Sequence, residues 1–324
     1  MSASISDRAA STLPDNILVA VDSTVASERA IAFAKGIVAP GGYVRLVSVA
    51  ENPRTLIPTG AFTGDMLESA RAELLRDADE ALATARAAFD QSHLRIETEA
   101  IDLSKHGSDV THALIDAAQR SGAQLLVAGA RQHHGLLRWV EGTVSAPLAS
   151  LAPCPVLIVP EAYHAEPHAE AGTGATPRRI VFAIDASPQA EEALRFGLRF
   201  ATHATAGRAI YVVDRAVRLS DFVPIDALED AFVLEGTHAL AAVEPMLADR
   251  CGQASTTLVE TKRTSDDVAH AIVREAREWR ADLIVMGTHG RRGPSRWMLG
   301  SVAERVAQLT ETPLLLVRAQ TKAD

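Results

Sequence analysis

Between Met286 and Val302 the chain reads Met-Gly-Thr-His-Gly-Arg-Arg-Gly-Pro-Ser-Arg-Trp-Met-Leu-Gly-Ser-Val. Gly287 and Gly290 permit a turn with φ > 0 and leave room for a ligand to approach the backbone. Gly300-Ser301 opens a predicted helix, whose free N–H groups, dipole and Ser301 hydroxyl make a ready anion site. Arg291 and Arg292 add positive charge beside it, which suits a phosphate better than a neutral ligand. The competing reading is a loop whose glycines only turn the chain between a strand and a helix.

Other reactive residue types carry less. His164 and His168 lie four apart in a segment rich in Ala, Gly, Pro and Glu, where ligand geometry is not fixed. His133 and His134 are adjacent and have no third ligand placed beside them, so they read as a solvated loop pair. The two cysteines, Cys154 and Cys251, make no disulfide framework and match no zinc spacing. Cys154, between Pro153 and Pro155, is expected to be buried. Neither a Gly-x4-Gly-Lys-Ser/Thr loop nor a Gly-x-Ser-x-Gly elbow is present.

The glycine loop occurs twice in outline, because the chain is an internal repeat. Asn16-Ile-Leu-Val-Ala-Val-Asp22 resembles Arg179-Ile-Val-Phe-Ala-Ile-Asp185, and residues 110–159 align without gaps on 268–317 with about 18 identities in 50. Those pairs include His112/His270, Gly129/Gly287, Trp139/Trp297, Gly142/Gly300 and Pro155/Pro313. Recurrence of the His and Trp pairs in both halves points to packing rather than catalysis. With 324 residues the chain is long enough for two domains. The boundaries expected are 1–160, a linker over 161–177, and 178–324.

Composition sets limits on partners. A hydrophobic share of 47% with 23% charged residues is that of a folded protein, and 4% aromatics leaves the core to Ala, Leu, Val and Ile. A net charge of −9 argues against nucleic acid and against anionic membranes. No apolar run approaches the ~18 residues that a bilayer span needs, and residues 1–11 hold no signal-like apolar stretch, so a cytoplasmic protein is expected.

Strand and helix patterns alternate in each half. Predicted strands cover Ile17–Val21, Val44–Val49, Arg95–Ala100, Leu125–Ala128 and Val156–Val159, then Ile180–Ile184, Ala209–Val213, Thr256–Thr261, Leu283–Met286 and Leu314–Val317. In the second half, helices are predicted over Glu191–Ala201, Leu228–Leu247 with Pro245 near its end, Asp267–Arg280 capped by Ser265 or Asp266, and Val302–Leu309. Short apolar strands alternating with helices imply α/β architecture: two tandem doubly wound, Rossmann-like domains, each with a five-stranded parallel sheet. Ligands of such sheets sit beyond the carboxyl ends of the strands, where the strand order switches.

The whole arrangement resembles the universal stress protein family, whose nucleotide-binding members carry Gly-x2-Gly-x9-Gly-Ser/Thr. Gly287, Gly290, Gly300 and Ser301 match it in full, and Asp185, Ser187, Ala193-Leu194 and Pro313–Val317 agree with the family's other marks. The resemblance covers both repeats and implies the adenine nucleotide alpha hydrolase-like variant of the fold. It implies ATP or another adenine nucleotide as ligand. The base would lie against Ala183, Ile184, Asp185, Val212 and Met286. The ribose and phosphates would run along Gly287, His289, Gly290 and Arg291 to Gly300, Ser301 and Val302. Asp185 is the natural partner for a ribose hydroxyl or a nucleotide-bound Mg²⁺.

The first half departs from this pattern. Gln132 stands where the second glycine should be, at a cost of about 1–2 kcal/mol for any φ > 0 conformation. Its site, Asp22, Val49, Gly129, Gly142, Thr143 and Val144, is therefore expected to be weaker or lost. Family members commonly dimerise through the last strand, so pairing of Pro155–Val159 with Pro313–Val317 within one chain is expected, with homodimer formation left open. The function implied is nucleotide-dependent regulation in stress response. A slow ATPase or autophosphorylating enzyme, and a structural adaptor with vestigial sites, are the alternatives.

Overall fold

A computed structural model describes residues 13–56, 64–89, 93–107, 109–130, 144–164, 176–215, 225–262, 266–290 and 299–318. Its first half runs β1 (Asn16–Ala20), α1 (Val25–Ala34), β2 (Tyr43–Ala50), α2 (Pro53–Leu56), α3 (Gly64–Phe89), β3 (Arg95–Asp102), α4 (Leu103–His106), α5 (Val110–Ser121), β4 (Leu125–Ala130), α6 (Ser145–Leu151) and β5 (Val156–Pro160). The second half repeats the order: β6 (Arg179–Ile184), α7 (Pro188–Gly197), β7 (Ala206–Val213), α8 (Ile225–Arg250), β8 (Gln253–Glu260), α9 (Val268–Glu278), β9 (Leu283–Gly287), α10 (Ser301–Leu309) and β10 (Leu314–Val317). All ten predicted strands are present, most of them a residue or two longer.

The strands form one sheet in the order β3-β2-β1-β4-β5-β10-β9-β6-β7-β8. Within each half every pairing is parallel. The halves join through β5 and β10, which pair antiparallel with Leu157 opposite Leu315. This is the intrachain pairing that the last strands suggested. Because that joint is antiparallel, the carboxyl ends of the two sets of strands point in opposite directions. The strand order switches between β1 and β4 in one half and between β6 and β9 in the other.

Alternation along the strands divides the core into two layers. Residues such as Phe182, Tyr211, Val285 and Leu315 pack beneath α1, α3, α7 and α8. Their neighbours Val181, Ile210, Ile284 and Leu316 pack beneath α5, α6, α9 and α10. Strands buried on both faces must be apolar throughout, which is why β9 and β10 read Leu-Ile-Val-Met-Gly and Leu-Leu-Leu-Val.

Two helix expectations need correction. The helix expected after Ser265 or Asp266 is capped by Asp267, whose side chain accepts the His270 N–H at 2.8 Å. Asp266 instead accepts from the Lys262 N–H and from Arg274. The long helix expected to stop at Leu247 runs on to Arg250, with Pro245 inside it. Pro245 and Ala241 are both exposed, so the carbonyl that loses its partner there has water instead.

Candidate nucleotide site

The second half builds its site at the switch point between β6 and β9. Ser187 caps α7, its hydroxyl accepting the Ala190 N–H at 3.1 Å. The same residue donates its N–H at 3.0 Å and its hydroxyl at 2.5 Å to Asp185 Oδ1. This closes a three-residue turn in which Ala186 takes φ 63°, a left-handed conformation that costs a non-glycine residue of order 1 kcal/mol. Asp185 is thus held in place by the helix cap beyond it.

The glycine loop leaves β9 opposite this turn. The Thr288 N–H donates to Val317 O at 3.0 Å, and the Gly300 N–H donates to Thr288 O at 2.8 Å. The loop therefore departs and returns at one point. Gly290 lies directly against Asp185: a Cβ there would collide with Asp185 Oδ2. A Cβ on Gly300 would sit 2.9 Å from Thr288 O. Neither Gly287 nor Gly290 has a positive φ. The expectation that these glycines serve a left-handed turn is corrected; what they supply is room for close approach.

At the far end of the loop α10 opens without a side-chain cap, Gly300 lying at φ −63°, ψ 143°. The first helical bond is Glu304 N–H to Gly300 O at 2.9 Å. Among the described residues no group accepts from the amides of Ser301, Val302 and Ala303, with Ser301 exposed and Val302 half-buried. His289 Nδ1 lies 3.0 Å from the Thr288 hydroxyl, while its Nε2 is buried without a hydrogen-bond partner. An orphaned ring nitrogen near the start of a helix that has no side-chain cap fits a ligand with an anionic group and a polar edge.

The apolar part of the site is narrower than expected. Ala183, Val212 and Met286 share the face covered by α9 and α10, with Ala183 and Val212 half-buried. Ile184 does not join them. Its side chain points to the opposite layer, because consecutive strand residues alternate faces. Arg291 and Arg292 lie outside the described residues, as does Trp297.

The first half has the same turn without the strain. Thr24 donates its N–H at 2.9 Å and its hydroxyl at 2.5 Å to Asp22 Oδ1, and the Asp22 N–H donates to Ser27 Oγ at 3.1 Å. Ser23 is not left-handed. Val49 is half-buried on the face that also carries Ala20 and Ala128. Gly129 is packed hard: a Cβ there would run into the main chain of Ala26 and lie 2.8 Å from the Ser27 nitrogen. Val144 precedes α6, a helix of seven residues with no side-chain cap. Gln132, His133, His134, Trp139, Gly142 and Thr143 lie outside the described residues, as does His168.

Asp102 is buried at the end of β3, accepting from Arg71 Nε at 3.0 Å and Nη2 at 2.6 Å. The Arg71 guanidinium holds this carboxyl below the usual carboxylate range. The matched histidines have a local explanation. His112 and His270 each stand three residues after a capping aspartate, Asp109 and Asp267, with Nδ1 2.9 Å from its carboxylate. Burial pushes the Cys154 thiol up to about 12 and that of Cys251 to about 11, so neither is a nucleophile at neutral pH. Among the described residues no group of three His, Cys, Asp or Glu side chains is arranged to hold a metal. Sequence reasoning does not single out Thr288 or Ala186; the Asp-x-Ser spacing of 185–187 was the available signal for the strained turn.

The sequence pattern of the universal stress protein family matches residues 14–160 and again 176–318. The chain belongs to this family. A universal stress protein of Mycolicibacterium smegmatis is 28% identical over 313 residues, covering 93% of this chain and 96% of its own length. One from Methanocaldococcus jannaschii is 36% identical over 152 residues, 45% of this chain and 84% of the relative. Among solved structures, a universal stress protein from Archaeoglobus fulgidus matches with TM-score 0.60 and 15% identity, covering 96% of this chain and 98% of the other. At that identity the likeness is one of fold. No helix among the described residues of this universal stress protein is long and apolar enough to cross a membrane.

Proposed function

We propose that this universal stress protein binds an adenine nucleotide, ATP first among them, in its second domain (178–324) and serves as a nucleotide-responsive regulator in stress response. The observation that carries the reading is the uncapped amino end of α10 facing the Asp185 turn across the Gly290 contact. Amides of Ser301 and Val302 would take phosphate oxygens. Ala183, Val212 and Met286 would lie against the base. Asp185, oriented by its bonds from Ser187, would meet a ribose hydroxyl or Mg²⁺ carried in with the phosphates.

Binding rather than turnover is the role these groups favour. The segment from Gly287 to Val302 contains arginines and a histidine but no lysine and no carboxylate. Such a loop neutralises charge and offers no carboxylate base of its own. The ligand when bound supplies the signal, and the chain supplies its recognition. In the first domain, Gln132 in place of the second glycine weighs toward a mainly architectural part. Native mass spectrometry of purified protein, followed by calorimetric titration with ATP and AMP, tests the reading. Adenylate bound at one site per chain is expected, and no binding of either nucleotide would remove it.

A further inference from the structure

At the amino ends of the strands the two halves are filled differently. In the second half Trp279, at the carboxyl end of α9, packs on the sheet face that carries Val181 and Ile210 and, by alternation, Arg179 and Arg208. Both guanidinium groups lie over its indole ring, 4.7 and 4.8 Å from the centroid. Arg208 is fixed from the helix side by Glu275 at 2.7 Å, and its Nε donates to Ser255 at 3.3 Å. Strand register and the repeat identify the matching residues of the first half. Arg208 stands between Val181 and Ser255 in the sheet as Arg45 stands between Leu18 and Glu97. Asn16 takes the place of Arg179, Ser121 that of Trp279 and Ala117 that of Glu275. The arginine is kept and the ring is gone. Ser121 turns its hydroxyl back onto Ala117 O and Ala118 O at 2.8 and 3.2 Å, and Asn16 donates its amide to Ser121 O at 2.7 Å. What remains is a cavity of about 250 Å³ lined by Asn16, Tyr43, Val44, Arg45, Glu97 and Ser121.

We propose that this cavity binds a small, neutral, planar aromatic molecule of one or two rings, which takes the place against Arg45 that Trp279 takes against Arg208. The size agrees, since an apolar cavity of about 150 Å³ already admits benzene. The chemistry agrees as well. Glu97 and Glu99 hold the Arg45 guanidinium by its nitrogens at 2.5 and 3.3 Å, and both lie on β3 rather than on α5. Its face is thereby kept for a ring, and attraction to a π-system needs no charge on the ligand. Glu97, exposed at the rim, can accept a ring N–H and opposes an anionic ligand. The cavity lies at the amino ends of β1 and β2 and shares no residue with the nucleotide cleft, so it does not depend on that reading.

Titration of the full chain with a fluoroindole, followed by fluorine NMR, tests this. Saturable binding at one site per chain is expected, with no displacement by ATP. Ser121→Trp copies the second half and should fill the cavity, leaving Tm at or above that of the natural chain and weakening binding about tenfold or more. Arg45→Met keeps most of the side-chain bulk, removes the guanidinium and should weaken binding about threefold to tenfold. This second variant decides the matter if Ser121→Trp fails to fold. No saturable binding by the natural chain, displacement of the probe by ATP, or an affinity that Ser121→Trp or Arg45→Met leaves unchanged would each overturn the proposal.

Discussion

Replacing Gly290 with alanine separates the two jobs that a loop glycine can do. The new Cβ would meet Asp185 Oδ2, the end of a side chain, and no main-chain atom of the other described residues, its chain neighbours aside, lies within 4 Å of it. The fold can yield by swinging that carboxylate, so the stability loss should be near 1 kcal/mol, a fall in Tm of about 2–4 °C. The swing, however, breaks the bonds of 3.0 and 2.5 Å from Ser187 that aim Asp185 into the cleft. Losing one charge-assisted hydrogen bond to a ligand costs about 1.5–3 kcal/mol, which is a tenfold to roughly hundredfold loss of affinity. Gly129→Ala is the matched comparison, because its Cβ would run into the main chain of Ala26 and Ser27 in α1. That helix cannot step aside, so Gly129→Ala should lower Tm further while leaving ATP affinity in the second domain unchanged. Calorimetric titration with ATP and thermal unfolding of both variants provide the readout. Equal affinities for Gly290→Ala and the natural chain, or equal losses in both variants, would refute the reasoning.

Ser301→Pro removes one amide from the amino end of α10 at the helical position where proline is best tolerated, after Gly300 at ψ 143°. Its Tm should stay near that of the natural chain while ATP affinity drops about tenfold or more, measured by the same titration. Cys154 and Cys251 should resist a thiol reagent at neutral pH in the folded chain and react in urea, as followed by mass spectrometry. Their raised native values mean that the folded state holds these protons longer than the unfolded one. Stability should therefore decline as pH climbs from about 9 toward 11–12, and Cys154→Ala should soften that decline in urea melts. Asp102 behaves in the opposite sense. Its native value lies below the ordinary 3.8, so the stability it contributes is present above that pH and is lost as acid protonates it. Asp102→Asn should flatten the acid limb of the stability profile below pH 4.

Periodicity and the repeat made the architecture legible. Runs such as Ile180–Ile184 and Leu314–Val317 are too short and too apolar to be anything but strands covered on both faces, and they sit where expected. Helix caps were harder, since Ser265, Asp266 and Asp267 all carry capping side chains, and only the geometry shows Asp267 taking the His270 amide. Ile184 was misplaced because its neighbour Asp185 belongs to the cleft. One residue along a strand is a change of face, and proximity in sequence hides that. For the glycines, conformational freedom can be read from residue type, but a carboxylate opposite Gly290 cannot. Ala186 was invisible, because its left-handed backbone is imposed by Asp185 and Ser187 rather than by its own side chain.

Where two identical chains meet, every substitution near the joint arrives twice and every cleft must change in step with its twin. Fusing both partners through β5 and β10 makes their association independent of dilution and lifts that constraint. One half can then change alone: position 132 carries glutamine where the matching position of the other half, on the opposite rim of the sheet, carries Gly290. The molecule is thereby nearly symmetric in form while its two halves differ in sequence at the loops that follow β4 and β9.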